Sequence, residues 1–380
     1  MARAPVLQEI EAQPESDRLE GFPHPRETRD LFGHAAAERE LARAFASGRM
    51  HHGWLLSGPE GIGKATLAYR LARHALAAPE ERDPFGDSLG VPDETAAARQ
   101  ILAQAHPGLL VLRRPWDAKA KRFATTLPVD EVRRLKSFLG LTGGEGQWRL
   151  VIVDTADDLN VNAANALLKS LEEPPPRALF ILISSEPGRL LPTIRSRCRR
   201  LDLRPLAPPD LRRAVSAALL AAEKDGPKPD DWERLVQLSG GSVRRALQLF
   251  AGGGLELWAD VERIFALLPK VDWAAVHTLS DGMAQAQHEE RFTSFVELLL
   301  ETLARLVHAR AAGAADGAES QLAGRLIAPE ALPRWAELWE ALVREKADAD
   351  SLNLDRKSFI LGAIGRLEAV ARGGGPAPRP

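Results

Sequence analysis

The chain has 380 residues, 45% of them apolar and 27% charged, with a net charge of −2. That length supports two or three domains with real cores, and the near-neutral balance excludes a protein that coats polyanions with its whole surface. A single cysteine, Cys198, excludes a disulfide framework and a multi-cysteine zinc site, and fits a reducing compartment. Residues 1–33 mix acids, arginines and prolines without the apolar run of a signal peptide. No stretch approaches the roughly 18 apolar residues that span a bilayer. The expectation is a cytoplasmic protein that does not meet a membrane.

In chain order, residues 1–27 read as a polar, loosely ordered lead-in containing Pro14, Pro23 and Pro25. Over residues 28–204, short apolar runs alternate with helical stretches. The runs are Trp54–Leu56, Leu109–Leu112, Leu150–Val153 and Leu179–Ile183. Buried strands separated by helices predict an α/β core, a parallel sheet flanked by helices. Pro205, Pro208 and Pro209 end that pattern, and residues 205–254 predict a small helical lid broken at Gly240-Gly241. Residues 255–372 predict an all-α C-terminal domain. Its apolar stripes are Phe292, Phe295, Val296, Leu299, Leu303, Leu306 and Val307; then Trp335, Leu338, Trp339, Leu342 and Val343; then Phe359, Ile360, Ala363, Ile364, Leu367 and Val370. Each stripe reads first as an ordinary helical core; the sharper reading is that some of this surface packs on sister subunits. Residues 373–380 read as a disordered tail. There are no internal repeats.

The run Gly58-Pro59-Glu60-Gly61-Ile62-Gly63-Lys64-Ala65-Thr66 follows an apolar strand and opens a helix, which is the setting of a P-loop. Its glycines let backbone N–H groups turn toward phosphates, and the helix start adds favourable partial charge. Lys64 would reach the β- and γ-phosphates. The next residue should carry the hydroxyl that holds Mg²⁺, but it is Ala65; Thr66 is turned about 100° further round the helix and is expected to point elsewhere. Two readings stay open, an ATP site (Gly58, Gly61, Gly63, Lys64, Thr66) and a vestigial turn inherited from an ATPase. The strand Arg149–Val153 leads to Asp154, a carboxylate placed to help hold Mg²⁺. An active enzyme has glutamate next, to orient the attacking water. Here stands Thr155, which cannot take a proton from water at neutral pH. Asp157 and Asp158 are read as helix N-terminal capping residues. The two defects predict a chain without ATP turnover of its own.

The run Asn162–Pro175, with Leu167-Leu168-Lys169-Ser170-Leu171-Glu172-Glu173-Pro174-Pro175, resembles the segment after the second acidic motif in bacterial DNA polymerase III clamp-loader subunits, within the ATPases associated with diverse activities. Ser184-Ser185 resembles that family's first sensor, Ser196-Arg197-Cys198 its Ser-Arg-Cys motif, and Gly241-Ser242-Val243-Arg244 its second sensor. The order and spacing match over roughly residues 30–250. The resemblance implies a P-loop ATPase core, a lid and a C-terminal collar domain. It also implies tau/gamma ATPase subunits and a delta subunit as partners, with the sliding clamp and primed DNA reached through the complex. The tau/gamma type carries a cysteine cluster for zinc, absent here, so no zinc is expected. The delta type usually lacks two of the motifs just quoted. The delta-prime type is what remains.

In that family ATP lies between subunits, and the resemblance makes Arg197 an arginine finger offered to a neighbour's γ-phosphate. A structural salt bridge or a solvated arginine is the plain alternative. Arg244 would be the second sensor or, over an empty pocket, only a lid residue. The function of Arg195, Arg199, Arg200 and Arg204 stays open. Cys198 reads as a small packing residue, and His51 and His52 as exposed loop residues. The competing functions are an active clamp-loader or helicase-loader ATPase, a small-molecule P-loop kinase and a pure scaffold. No polymerase motif is visible.

Overall fold

The computed structural model describes residues 14–83, 85–140, 147–285, 289–313, 318–352 and 355–373. The first part of the predicted lead-in (1–13) and most of the predicted tail (374–380) lie outside the described residues. The chain divides into two compact units, Met1–Leu247 and Gln248–Pro380. The division falls inside a helix, and the predicted lid belongs largely to the first unit.

In chain order the first unit holds α1 (Ala35–Ala46), β1 (Gly53–Ser57), α2 (Lys64–Leu76), α3 (Ala96–Leu102), β2 (Leu109–Leu112), β3 (Trp116–Asp117) and β4 (Arg122–Phe123). Then come α4 (Val129–Gly140), β5 (Arg149–Val153), α5 (Val161–Glu172), β6 (Ala178–Ser184), α6 (Pro192–Arg195), β7 (Arg199–Asp202), α7 (Pro208–Ala221), α8 (Pro229–Ser239) and α9 (Val243–Ala251). The main sheet has the order β2-β5-β6-β1-β7, and every pairing in it is parallel. The α/β core is therefore as predicted, and all four apolar runs are strands.

The strands alternate between two cores, as a period of two requires. Ala178, Phe180 and Leu182 of β6 join Val151, Val153, Leu110 and Leu112 in a cluster closed by α4 and α5. Leu179, Ile181 and Ile183 face the opposite side, where α2 packs on β5 and β6. All seven residues of β6 are buried, which is why it read as one continuous apolar run.

Two elements were not expected. Strand β7 is Arg-Arg-Leu-Asp with only Leu201 buried, an edge strand kept soluble by charge. The ribbon β3–β4 is pinned by Trp116 against Phe123, with ring centroids 4.9 Å apart. The lead-in, expected to be loose, is packed from Pro14 onward. Phe22, His24 and Arg26 are buried, and paired charges rather than an apolar core hold the segment down.

The second unit is helical: α10 (Gly254–Leu267), α11 (Trp273–Asp281), α12 (Glu289–Ala312), α13 (Ala318–Leu326), α14 (Leu332–Leu352) and α15 (Arg356–Ala371). Helix α12 packs on α10, α13 and α14, and α15 on α11 and α14. The predicted stripes of α12 and α15 are buried except for Val307 and Phe359, which are half-buried, and α10 adds Leu257, Trp258, Val261, Ile264 and Phe265 to the same core. The α14 stripe splits: Trp335, Leu338 and Leu342 are buried, whereas Trp339 and Val343 are exposed.

Candidate functional site

Strand β1 delivers the chain into the loop 58–63, and α2 starts at Lys64 behind Gly63, whose φ is 108°. The lysine does not project freely. Its Nζ donates to Gly58 O (2.6 Å), Pro59 O (2.6 Å) and Ser185 Oγ (3.0 Å), and only 5% of the residue is exposed. Burial pulls its pKa down to about 8, against the opposing pull of Asp154, Glu60 and Asp157. The first-sensor position thus touches the P-loop lysine, as a serine at the end of β6 can.

Asp154 follows β5, and Thr155 Oγ1 lies 3.5 Å from its carboxylate. Burial drives the Asp154 carboxyl well above the usual carboxylate range, and the charge of Asp17 adds to the shift. Asp157 does not cap a helix, contrary to the sequence reading. It accepts from Ser184 Oγ (2.5 Å), Ser185 N (2.6 Å) and Glu186 N (3.2 Å), and so ties the end of β6 to the loop after β5. Asp158 pairs with Arg114 at 2.9 Å. The cap of α5 is Asn160, whose side chain accepts from Ala163 N.

The lid closes directly on the P-loop. Val243 N and Arg244 N both donate to Gly61 O, at 2.9 and 3.3 Å. A Cβ on Gly61 would collide with Ser242 Oγ and with Arg244 Cβ, so glycine here serves the lid as well as any phosphate. Arg244 Nε lies 3.3 Å from Glu60 Oε1, and its Nη1 donates to Asp17 O at 3.3 Å.

A cavity of about 470 Å³ lies between P-loop, lid and lead-in, within the range of small-molecule sites. Gly61, Gly63, Lys64, Thr66, Asp154 and Arg244 all line it; Gly58 does not, and its close approach is instead to the chain after β7, where a Cβ would collide with Leu203 O. Thr66, expected to point elsewhere, is on the wall beside Ala65.

Sequence reasoning missed the lead-in's share of this wall, which includes Asp17, Phe22 and Glu27. Glu15 meets Arg113 (2.6 Å) and Arg26 (2.7 Å), while Asp17 meets Arg113 (3.0 Å) and His24 (3.0 Å). Burial by itself would raise the Glu15 carboxyl, but the hydrogen bond from Arg26 and the charges of Arg113 and His24 hold it far below its usual value. Among the described residues Glu15, Asp17 and His24 are the one metal-like grouping, with ligand atoms within 4.8 Å. Arginines already occupy both carboxylates, so the group is an ion-pair clamp.

Arg197 lies outside that cavity wall. It follows α6, and its side chain is 35% exposed. Its Nη2 is 2.8 Å from Glu172 Oε1, and its Nη1 donates to Thr193 O at 3.0 Å. Cys198 packs against the α4–α5 core, and burial pushes its thiol up to about 12, as fits a packing residue. Arg199 lies over the Trp54 ring at 5.0 Å and pairs with Glu40 at 2.7 Å; Arg200 pairs with Asp202 at 2.6 Å. These two arginines dress the edge strand. His51 and His52 are half-buried and stacked, with centroids 4.4 Å apart, rather than exposed.

The fold and this site define a P-loop ATPase-type core, with Ala65 after the loop lysine and Thr155 after Asp154. The family model described as DNA polymerase III, delta subunit, matches residues 33–207. The delta' subunit of DNA polymerase III from Escherichia coli is 32% identical over 278 residues, 70% of this chain and 74% of that protein. The delta' subunit from Pseudomonas aeruginosa is 39% identical over 210 residues, 55% of this chain and 59% of that protein. The gamma/tau subunit of Mycobacterium tuberculosis is 32% identical over 266 residues, 68% of this chain and 43% of that protein. The match thus spans less than two thirds of the length of the Pseudomonas and mycobacterial relatives. The chain belongs to the DNA polymerase III delta-prime family, in the clamp-loader clade.

Proposed function

We propose that this chain is the stator of a clamp loader in the DNA polymerase III holoenzyme. It supports ATP-dependent loading of the sliding clamp onto primed DNA, in the cytoplasm, and supplies Arg197 to the ATP of a neighbouring tau/gamma subunit. The delta subunit completes the assembly, and clamp and DNA are met through the complex. The observation that carries this reading is the position of Arg197, a half-buried arginine in a Ser-Arg-Cys motif, at the protein surface and outside the wall of the chain's own pocket. A guanidinium is always charged and offers a fork of donors to phosphate oxygens. Supplied in trans, such a finger is worth on the order of 10³–10⁵ in rate.

The chain does not hydrolyse ATP itself. Thr155 cannot orient water as a base, and Ala65 offers Mg²⁺ no oxygen. ATP is the ligand the Lys64 pocket would take, without turnover. The C-terminal helical unit joins the collar of the pentamer. Trp339 and Val343, one turn apart on α14 and both exposed, are apolar surface of the kind a sister subunit covers.

The test is DNA- and clamp-stimulated ATPase of a loader reconstituted with wild-type chain or Arg197→Ala, after gel filtration shows that both assemble. The proposal expects a loss of tenfold or more. Unchanged turnover would leave a scaffold, and turnover by the isolated wild-type chain would revive an active ATPase.

A further inference from the structure

Two sequence motifs that look independent meet at one place. Gly53 opens β1, and a Cβ there would lie 3.2 Å from Arg197 O, 3.2 Å from Cys198 Sγ and 3.5 Å from Leu171 Cδ2. Glycine at this position therefore lets the end of α5 and the segment after α6 close on the first strand. Leu171 is 1% exposed, and Cys198 packs against the same apolar cluster. The residues next to these two anchors, Glu172 and Arg197, emerge side by side and pair at 2.8 Å.

We propose that Glu172 is a positioning residue for Arg197. Its carboxylate and the Thr193 carbonyl hold the guanidinium in one orientation at the subunit edge, ready for the phosphate of a neighbour's ATP. The inference rests on the finger reading given above. An arginine side chain has many rotamers, and a free one reaches a phosphate only after losing that freedom. Here two of the five N–H donors are spent on the tether and the others stay available. The tether is exposed on both sides, 35% and 42%, so its effect is modest. Roughly two- to fivefold in rate is the scale of such a pair.

The experiment measures DNA- and clamp-stimulated ATPase in the reconstituted loader with Glu172→Ala, Glu172→Gln, Arg197→Ala and the double alanine variant, each checked for assembly. Glu172→Ala should lower kcat about two- to fivefold and leave KM for ATP unchanged, because the tether serves the transition state. Glu172→Gln, whose amide oxygen can accept the same hydrogen bond, should recover most of the loss. On the Arg197→Ala background, Glu172→Ala should change nothing further. If Arg197→Ala costs turnover but Glu172→Ala costs none, or raises it, or costs as much on the Arg197→Ala background, positioning by Glu172 is overturned and the finger stands. If Arg197→Ala itself changes nothing, the finger reading falls and takes this inference with it.

Discussion

The phosphate loop and the α6–β7 edge each present a cation of the kind that handles ATP, and the fold treats the two in opposite ways. Lys64 is buried, and its ammonium is committed to two carbonyls of its own loop and to Ser185. Arg197 is a third exposed and is restrained by one carboxylate and one carbonyl, which take two of its five N–H donors and leave the others for a phosphate. An active subunit needs both cations. A subunit that only serves its neighbour needs the second, and the first is then free to become part of the packing. The difference teaches that a P-loop also serves the fold, since Gly61 O accepts from Val243 N and Arg244 N and so joins loop to lid.

The sharpest way to break this contrast is Arg197→Lys. Charge is kept and the fork of donors is lost, so loader turnover should fall tenfold or more if two phosphate oxygens are gripped at once. A loss under twofold would mean that charge alone matters. Next in size is the lead-in. Glu15→Ala leaves Arg26 and Arg113 without their shared carboxylate partner and should cost about 3 kcal/mol of stability, read from the urea midpoint. The sign of its pH dependence follows from the lowered pKa of Glu15. The wild-type stabilisation is complete above the usual carboxylate range and is lost as pH falls below it, so the gap between wild type and variant should narrow in acid.

A smaller effect belongs to Lys64. With a pKa of about 8 it is cationic at pH 7 and largely neutral by pH 9. Any nucleotide held by the isolated chain should weaken as pH rises through 8, by up to about tenfold, which equilibrium dialysis of labelled ATP can follow. Retention that strengthens with pH would place the phosphates elsewhere. The smallest effect is that of Glu172, as above.

Much of this architecture was legible in the sequence. Three of the four runs predicted as strands, in β1, β5 and β6, are buried on both faces and therefore apolar without interruption; the fourth, β2, is an edge strand whose Leu110 and Leu112 are buried and whose Leu109 and Val111 are half-buried, and the P-loop and lid are marked by glycines. Strand β7 was not legible because an edge strand made of Arg199, Arg200 and Asp202 reads as a basic cluster. The lead-in escaped for another reason: its clamp joins Glu15 and Asp17 to Arg113, pairs far apart in the chain that no local pattern announces. Asp157 looked like a cap because it precedes a helix, whereas its partners lie on β6.

The central claim is that this chain acts on a phosphate it does not itself hold. Single-turnover hydrolysis in the reconstituted loader tests it most directly, with the ATP bound per complex counted before DNA is added. For Arg197→Ala the account predicts the same amount of bound ATP and a hydrolysis rate down by tenfold or more. Hydrolysis at the wild-type rate, with ATP occupancy equally unchanged, would contradict it.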